Sequence, residues 1–304
     1  MKLSVFVVTY NQEQYIRQCL DSIVMQRVNF EYEVIIGEDC SSDKTPVICD
    51  EYAKKYSFIH VYHHMKNLGL VKNWEFVLNH CTGDYVAMIE GDDYWLDENK
   101  LQTQIDWLDT HPDYLITSTN VDVRCEDGLQ DANDWFPSRK SGDVDIKEYL
   151  YPGICHTTSV VMRNIFATLK YPSWIYMADT YTFMLAAQQG KAYHFEKKFS
   201  VYRRHNKCCT VQDTLYDVIS MMKWATQHRN MQIQFPEAKE LLLEYEEKDL
   251  YYLSKVSRKD APIEVWKYRL RYINFHKKLI LSKYLIRTIL YLPLINKLLT
   301  FLRV

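Results

Sequence analysis

The segment LSVFVVTYNQEQYIRQCLDSIV, Leu3 to Val24, reads as a strand, a polar loop and a helix. The β-branched apolar run Leu3–Thr9 has strand character. Tyr15, Ile16, Cys19, Leu20, Ile23 and Val24 then recur at helical spacing, and Asn11 followed by Gln14 offers an N-cap of the capping-box type. The same alternation repeats outward along the chain. Further apolar runs at Glu33–Gly37, Ile59–His63, Tyr85–Glu90 and Tyr114–Ser118 are separated by amphipathic stretches, one opened by a Thr45 cap with Pro46 in its first turn. Strands alternating with helices imply a mainly parallel sheet with crossover helices on its faces, an α/β fold.

After Ser118 the rhythm is lost. Residues 119 to 153, rich in Asp, Asn, Gly and Pro around Trp135 and Phe136, read as a loop-rich stretch over a site. A strand at Thr158–Met162, a helix from near Asp179 stopped by Gly190, and a strand pair around Tyr193 and Val201 complete the first unit, 1–210. A helical extension, 211–304, follows.

Composition is that of a globular protein: 47% hydrophobic and 25% charged residues in 304, with eight Gly and eight Pro, too few for long flexible linkers. The eight cysteines form no C-x-x-C pair and fit a reducing compartment. The opening MKLSVFVVTY lacks the apolar length and cleavage site of a secretion signal, so a cytoplasmic protein is expected.

Charge is unevenly spread. All 39 Asp and Glu lie at or before Glu264, whereas nine of the 37 Lys and Arg follow it: Lys267, Arg269, Arg271, Lys277, Lys278, Lys283, Arg287, Lys297 and Arg303. They are interleaved with Leu and Ile but form no run long enough to span a bilayer, and Pro293 interrupts the helical pattern. A basic amphipathic segment on the inner face of an anionic membrane is one reading. Packing against the rest of the protein, or against a second copy in a homo-oligomer, is the other. No nucleic-acid motif accompanies the charge.

Two strands end in acids. Tyr85–Ile89 runs into Glu90, Gly91, Asp92 and Asp93, where adjacent carboxylates repel one another unless a divalent cation holds them; a solvated acidic turn is the plainer alternative. Glu33–Gly37 runs into Glu38, Asp39, Ser41, Ser42 and Asp43, which can cap the next helix or accept an N–H from a flat heterocycle. In open α/β sheets ligands lie beyond the carboxyl ends of strands, so two acid-tipped strands favour a site.

VFVVTYNQEQYIRQCLDSIVMQ, EVIIGEDCSSDKT, NLGLVKNWEFVL and GDYVAMIEGDDYW together resemble, in order and spacing, the family 2 inverting glycosyltransferases. The likeness is strong over residues 1 to about 100, moderate to about 210 and absent beyond. It implies a GT-A, Rossmann-like fold, a nucleotide-sugar donor, a saccharide or lipid-linked acceptor, and Mg²⁺ or Mn²⁺. By the resemblance, Asp39 recognises uracil and Thr9, Tyr10 and Asn11 pass beside the nucleoside. Glu90-Gly91-Asp92 matches the family's D-x-D with Glu in place of the first Asp, putting Glu90 near the ribose and Asp92 on the metal, with Asp93 beside it. Lys72 matches a basic position that contacts base or phosphate, although an exposed helix lysine is the alternative. Asp179 in YMADTYTF matches the catalytic base, with Ala178 where the family has an acid, and a helix N-cap is its bland role.

Arg203, Arg204 and His205 resemble the family's R-x-H segment over the diphosphate, with His205 a further candidate for the metal; out of context the run would be a solvated patch. His156 could face the acceptor or be a hydrogen-bonded core histidine. A nucleotidyltransferase would want a Gly-rich loop where this chain has TYNQEQ. A non-catalytic nucleotide- or sugar-binding module is disfavoured by the joint retention of Asp39, Asp92, Asp93 and Asp179.

Overall fold

β1 (Leu3–Thr9) is buried along its whole length, which explains its unbroken apolar character: both faces are covered. In this computed structural model, which describes residues 1–129, 138–150, 155–166, 168–206, 208, 218–255 and the single positions 265 and 268, β1 is flanked on both edges by parallel strands. β2 (Tyr32–Glu38) and β3 (Ile59–His63) lie to one side, and β4 (Tyr85–Glu90) lies to the other. Leu3, Val5 and Val7 pack with α1 (Ile16–Val24), α2 (Thr45–Lys55) and α4 (Lys100–Thr110), while Phe6 meets Trp74 of α3 (Leu70–His80) at 4.7 Å. The period of two along the strand thus sorts its side chains between two helical layers. Each fully buried large side chain contributes about 1.5–3 kcal/mol.

The sheet continues through β8 (Val161–Arg163), β6 (Tyr114–Cys125) and β9 (Lys191–Arg204) to the short β5 (Tyr94–Trp95), with β7 (Gly142–Val144) also on β9. β8 is antiparallel to β4 and β6, whereas β6 and β9 are parallel, so the sheet is mainly parallel as expected. α5 (Ala178–Gln189) leads through Gly190 straight into β9.

Several local expectations are corrected. The helix after β1 starts at Ile16 with no side-chain cap; Asn11 instead bends the loop at φ 52° and its Oδ1 accepts the Ser42 N–H at 2.9 Å. Thr45 lies inside α2, and it is Asp43 whose Oδ1 accepts the Thr45 N–H, freeing the Thr45 hydroxyl to accept from Gln12. The stretch after Ser118 is not all loop: β6 runs on to Cys125 because β9 pairs with it, through register shifts at Thr119–Val121. Thr157–Ser159 form a 3-10 turn, so the next strand begins only at Val161. The expected strand pair around Tyr193 and Val201 is one bulged strand of 14 residues. Trp135 and Phe136 fall outside the described residues.

The chain divides into two compact units, Met1–Cys208 and Cys209–Val304. In the second, α6 (Val218–Gln234) and α7 (Lys239–Lys255) pair around Met221, Ala225, Leu250 and Leu253. The nine cations of the tail all fall outside the described residues. Val265 and Tyr268 alone are described there, and both pack on this helix pair.

Candidate active site

The registers gather the acids. Thr9 pairs with Glu38, and Val8 with Glu90, so the carboxyl ends of β1, β2 and β4 form one edge. β2 and β4 leave β1 in opposite directions, which opens a crevice at that edge. Gly91 makes the close approach possible. A Cβ there would stand 2.4 Å from Gln12 Oε1 and 2.8 Å from Thr9 Oγ1.

The two loops on the β1–β2 side are stitched together. The Asn11 N–H donates to Ser41 Oγ at 2.9 Å and the Glu13 N–H to Asp43 Oδ2 at 3.0 Å, while the Thr9 hydroxyl donates to Gln12 Oε1 at 2.7 Å. Tyr10 is exposed beside them. Asp39, only 3% exposed, accepts the Leu68 N–H at 2.7 Å on one oxygen and the Gly69 N–H at 2.9 Å on the other, tying down the loop before α3. A carboxylate has about four lone-pair sites, so acceptor capacity remains on both oxygens. Lys72 projects from the exposed face of α3, 3.2 Å from Glu75.

On the β4 side, Glu90 and Asp92 are half-buried and Asp93 is fully buried. Burial pushes the Glu90 carboxyl well above its ordinary range, with Asp92 and Asp179 adding to the effect. Burial likewise raises Asp93, reinforced by Asp92 and Glu90. Asp93 Oδ1 accepts the Arg203 N–H at 2.9 Å, but Oδ2 accepts no hydrogen bond from a described residue. That oxygen lies 3.5 Å from His156 Nδ1, which itself accepts the Thr158 N–H at 3.3 Å. Burial holds His156 down near 3, hence neutral.

One donor atom each from Glu90, Asp93 and His156 lies within 4.8 Å of the others. Two carboxylate oxygens and a neutral imidazole suit a divalent cation such as Mn²⁺, and a buried carboxylate oxygen without a donor is the kind of group such an ion satisfies.

β9 closes the edge from the other side. Pairing of Tyr94 with Val201 and Trp95 with Ser200 draws the end of β9 over the acidic turn. His205 Nε2 lies 3.1 Å from Asp92 Oδ2, and its ring packs on Tyr15 at 4.3 Å. Arg203, 4% exposed, donates from Nη1 to the Asp92 carbonyl at 2.8 Å and from Nη2 to Gln18 Oε1 at 2.5 Å, with Nε 2.9 Å from Glu126 Oε1. Strand alternation sends Arg204 to the opposite face, half-buried. Asp179 lies in the first turn of α5, where its Oδ1 accepts the Thr180 N–H at 2.7 Å; burial raises its pKa against that hydrogen bond.

The sequence candidates Thr9, Asn11, Asp39, Glu90, Asp92, Asp93, Asp179, Arg203 and His205 therefore sit along one edge of one sheet, while Lys72 is directed at Glu75. Of the three residues expected on the metal, Asp93 groups with Glu90 and His156, and Asp92 pairs with His205. Tyr15, Gln18 and Glu126 were not anticipated. Tyr15 reads as one more apolar helix position, and only the three-dimensional approach of β9 gives it the Arg203 and His205 neighbours.

Comparison with known proteins agrees with this geometry. The family model described as Glycosyl transferase family 2 matches residues 4–170. An uncharacterised Mycobacterium tuberculosis protein is 36% identical over 204 residues, 67% of this chain, and the chain spans 59% of that relative's length. The poly(ribitol-phosphate) beta-N-acetylglucosaminyltransferase TarS of Staphylococcus aureus is 32% identical over 112 residues, 36% of this chain and 19% of its own length. Among solved structures, S. aureus TarS 1-349 in complex with UDP superposes with TM-score 0.57 at 18% identity, covering 96% of this chain and 91% of that one. The mannosyltransferase PcManGT from Pyrobaculum calidifontis, in complex with GDP-Man and Mn²⁺, gives 0.54 at 14%, covering 95% and 84%. These two likenesses show the fold, GT-A. With acid-tipped strands gathered at the crevice of a GT-A sheet and the family model matching more than half of its residues, the chain belongs to glycosyl transferase family 2.

Proposed function

We propose that this chain transfers a sugar from a UDP-type nucleotide-sugar donor to a saccharide or lipid-linked acceptor, with inversion at the anomeric carbon. The observation that carries the reading is the gathering of Glu38, Asp39, Glu90, Asp92 and Asp93 at the carboxyl ends of β2 and β4, on either side of β1, with Asp179 adding to the upward pull on Glu90. In this mechanism the acceptor hydroxyl oxygen attacks the anomeric carbon and its proton passes to the Asp179 carboxylate. The bond from that carbon to the diphosphate oxygen breaks, and the electron pair leaves with UDP. The upward shift of Asp179 suits a base, because a more basic carboxylate takes the proton more readily. Asp39 offers its remaining lone pairs to the N3–H of uracil, and the loop Thr9–Asn11 borders the nucleoside. A bound Mg²⁺ or Mn²⁺ supplies charge neutralisation for the leaving diphosphate. Asp92 and His205, or Glu90, Asp93 and His156, would hold it.

The acceptor class is inferred from relatives whose names speak of poly(ribitol-phosphate) and teichoic acid: TarS, and the minor teichoic acid biosynthesis protein GgaB of Bacillus subtilis, 32% identical over 168 residues, 53% of this chain and 19% of its own length. The test is a panel of nucleotide sugars offered to the parent and to Asp179→Asn. UDP should bind both alike, whereas turnover in the variant should fall about 10²-fold or more. Equal turnover in the two would remove Asp179 as the base.

The tail carries a second part of the proposal, attachment to the inner face of an anionic membrane. Each Lys or Arg near such a surface contributes about 1 kcal/mol, so a few of the cations suffice for reversible binding. Among the described residues no helix is long and apolar enough to cross a membrane. Truncation after Tyr268 keeps the described contacts of Val265 and Tyr268 and should abolish salt-sensitive binding to anionic vesicles. A full-length protein that ignores such vesicles at low salt sinks the idea.

A further inference from the structure

We propose that Arg203 is a positioning residue for the acidic turn: it holds Asp92 from behind and does not touch the leaving diphosphate. The resemblance to a diphosphate-closing segment suggests the opposite, and the geometry decides between them. A guanidinium presents its donors in a fixed planar fork. Here Nη1 is on the Asp92 carbonyl at 2.8 Å, Nη2 on Gln18 at 2.5 Å and Nε beside Glu126 at 2.9 Å. Two rings cover it, Tyr15 at 4.7 Å and Tyr94 at 5.0 Å. At 4% exposure, a phosphate could reach this group only by dismantling those contacts.

What the fork organises is specific. The Arg203 N–H fixes Asp93 Oδ1, its side chain fixes the Asp92 carbonyl, and two residues on His205 meets Asp92 Oδ2. The backbone and the carboxylate of Asp92 are thus each held by one three-residue stretch, Arg203 to His205, at and just past the end of β9. Gln18 and Glu126 anchor the far side of the fork to α1 and to the residue just past β6. A lysine keeps the charge but cannot span Asp92, Gln18 and Glu126 together.

The inference rests on the reading that Asp92 would hold the cation that neutralises the donor diphosphate, so the experiment separates the two. UDP affinity is measured in Mn²⁺ and in EDTA for the parent, Arg203→Lys and Gln18→Leu. In the parent, Mn²⁺ should tighten UDP binding. In both variants affinity in EDTA should match the parent, while the gain from Mn²⁺ should shrink about tenfold or more, the usual cost of losing a group that orients a metal ligand. Gln18 lies on the exposed side of α1, so Gln18→Leu carries the test should Arg203→Lys fail to fold. Equal loss in Mn²⁺ and EDTA would make Arg203 a direct phosphate ligand and overturn the proposal. An undiminished Mn²⁺ gain in Gln18→Leu would overturn it too. A parent indifferent to Mn²⁺ would instead remove the metal reading, and this inference with it.

Discussion

Oδ2 of Asp93 faces Nδ1 of His156 at 3.5 Å, and that nitrogen, already accepting the Thr158 N–H, has no proton to give it. A buried carboxylate oxygen that receives no hydrogen bond is relieved when it takes up a proton or meets a cation, since an unsatisfied buried polar atom costs about 1–3 kcal/mol. Mn²⁺ or Mg²⁺ should therefore raise the melting temperature. At a hundredfold excess over its dissociation constant the ion adds about 2.7 kcal/mol. Thermal unfolding in Mn²⁺ and EDTA, for the parent, Asp93→Asn and His205→Ala, tells which donor set binds. If neither ion shifts the parent, neither set holds a metal.

Asp39 has two jobs, and removing it should show both. Asp39→Ala strips the acceptor from the Leu68 and Gly69 N–H groups, so urea unfolding should show a loss of about 1–3 kcal/mol. UDP binding should weaken by a comparable amount, about 1.5–3 kcal/mol for a hydrogen bond to a charged group. A parent that prefers GDP or CDP to UDP would contradict the uracil role while leaving the stability result standing.

Acid should loosen the protein through His194. Its ring is 1% exposed, with Nδ1 2.9 Å from Ser118 Oγ and Nε2 3.0 Å from Asn120 Oδ1, and burial, helped by the Arg139 cation, pushes it down to about 4. Between that value and its unfolded value near ~6.5 the unfolded chain binds the extra proton. Stability is then full above about pH 6.5 and lost as pH falls toward 4, by about 3 kcal/mol at most. His194→Gln should flatten this limb in unfolding curves taken from pH 7 to 4. A parent-like slope in the variant would assign the acid sensitivity elsewhere.

Cys40 follows Asp39 at φ 61°, exposed, in a conformation that costs a side chain with a Cβ about 1–2 kcal/mol. Cys40→Gly relieves that cost but loosens the unfolded chain, so the expected gain is below about 1 kcal/mol. Urea unfolding of the two proteins checks the sign, and a destabilised glycine variant would show that the sulfur side chain contributes packing the strain argument omits.

How much of this was legible depended on the range of the interactions involved. β1, β3 and β4 and the acids at the ends of β2 and β4 are written locally, in apolar runs that stop at carboxylates, and their boundaries fall where the sequence puts them. What the sequence hides is cross-chain pairing. Asn120 to Cys125 are polar enough to resemble loop, yet they are strand because β9 offers them a ladder. Asn11 looks like a cap but spends its side chain on Ser42, thirty-one positions away. His156 looks like a stray core histidine until β4 brings Asp93 to it. In each case a partner far along the chain supplies the hydrogen bonds that override local preference.

Gly190 sets one last consequence. A Cβ there would stand 2.5 Å from Leu115 Cγ, so any other residue at the step from α5 into β9 would have to displace that side chain. Residues 178 to 205 run from α5 through Gly190 into β9, with the proposed base at the start of this interval and the turn-holding Arg203 and His205 at its end. A substitution at Gly190 that moves this step would be felt at both ends, at Asp179 and at the acidic turn that Arg203 and His205 contact.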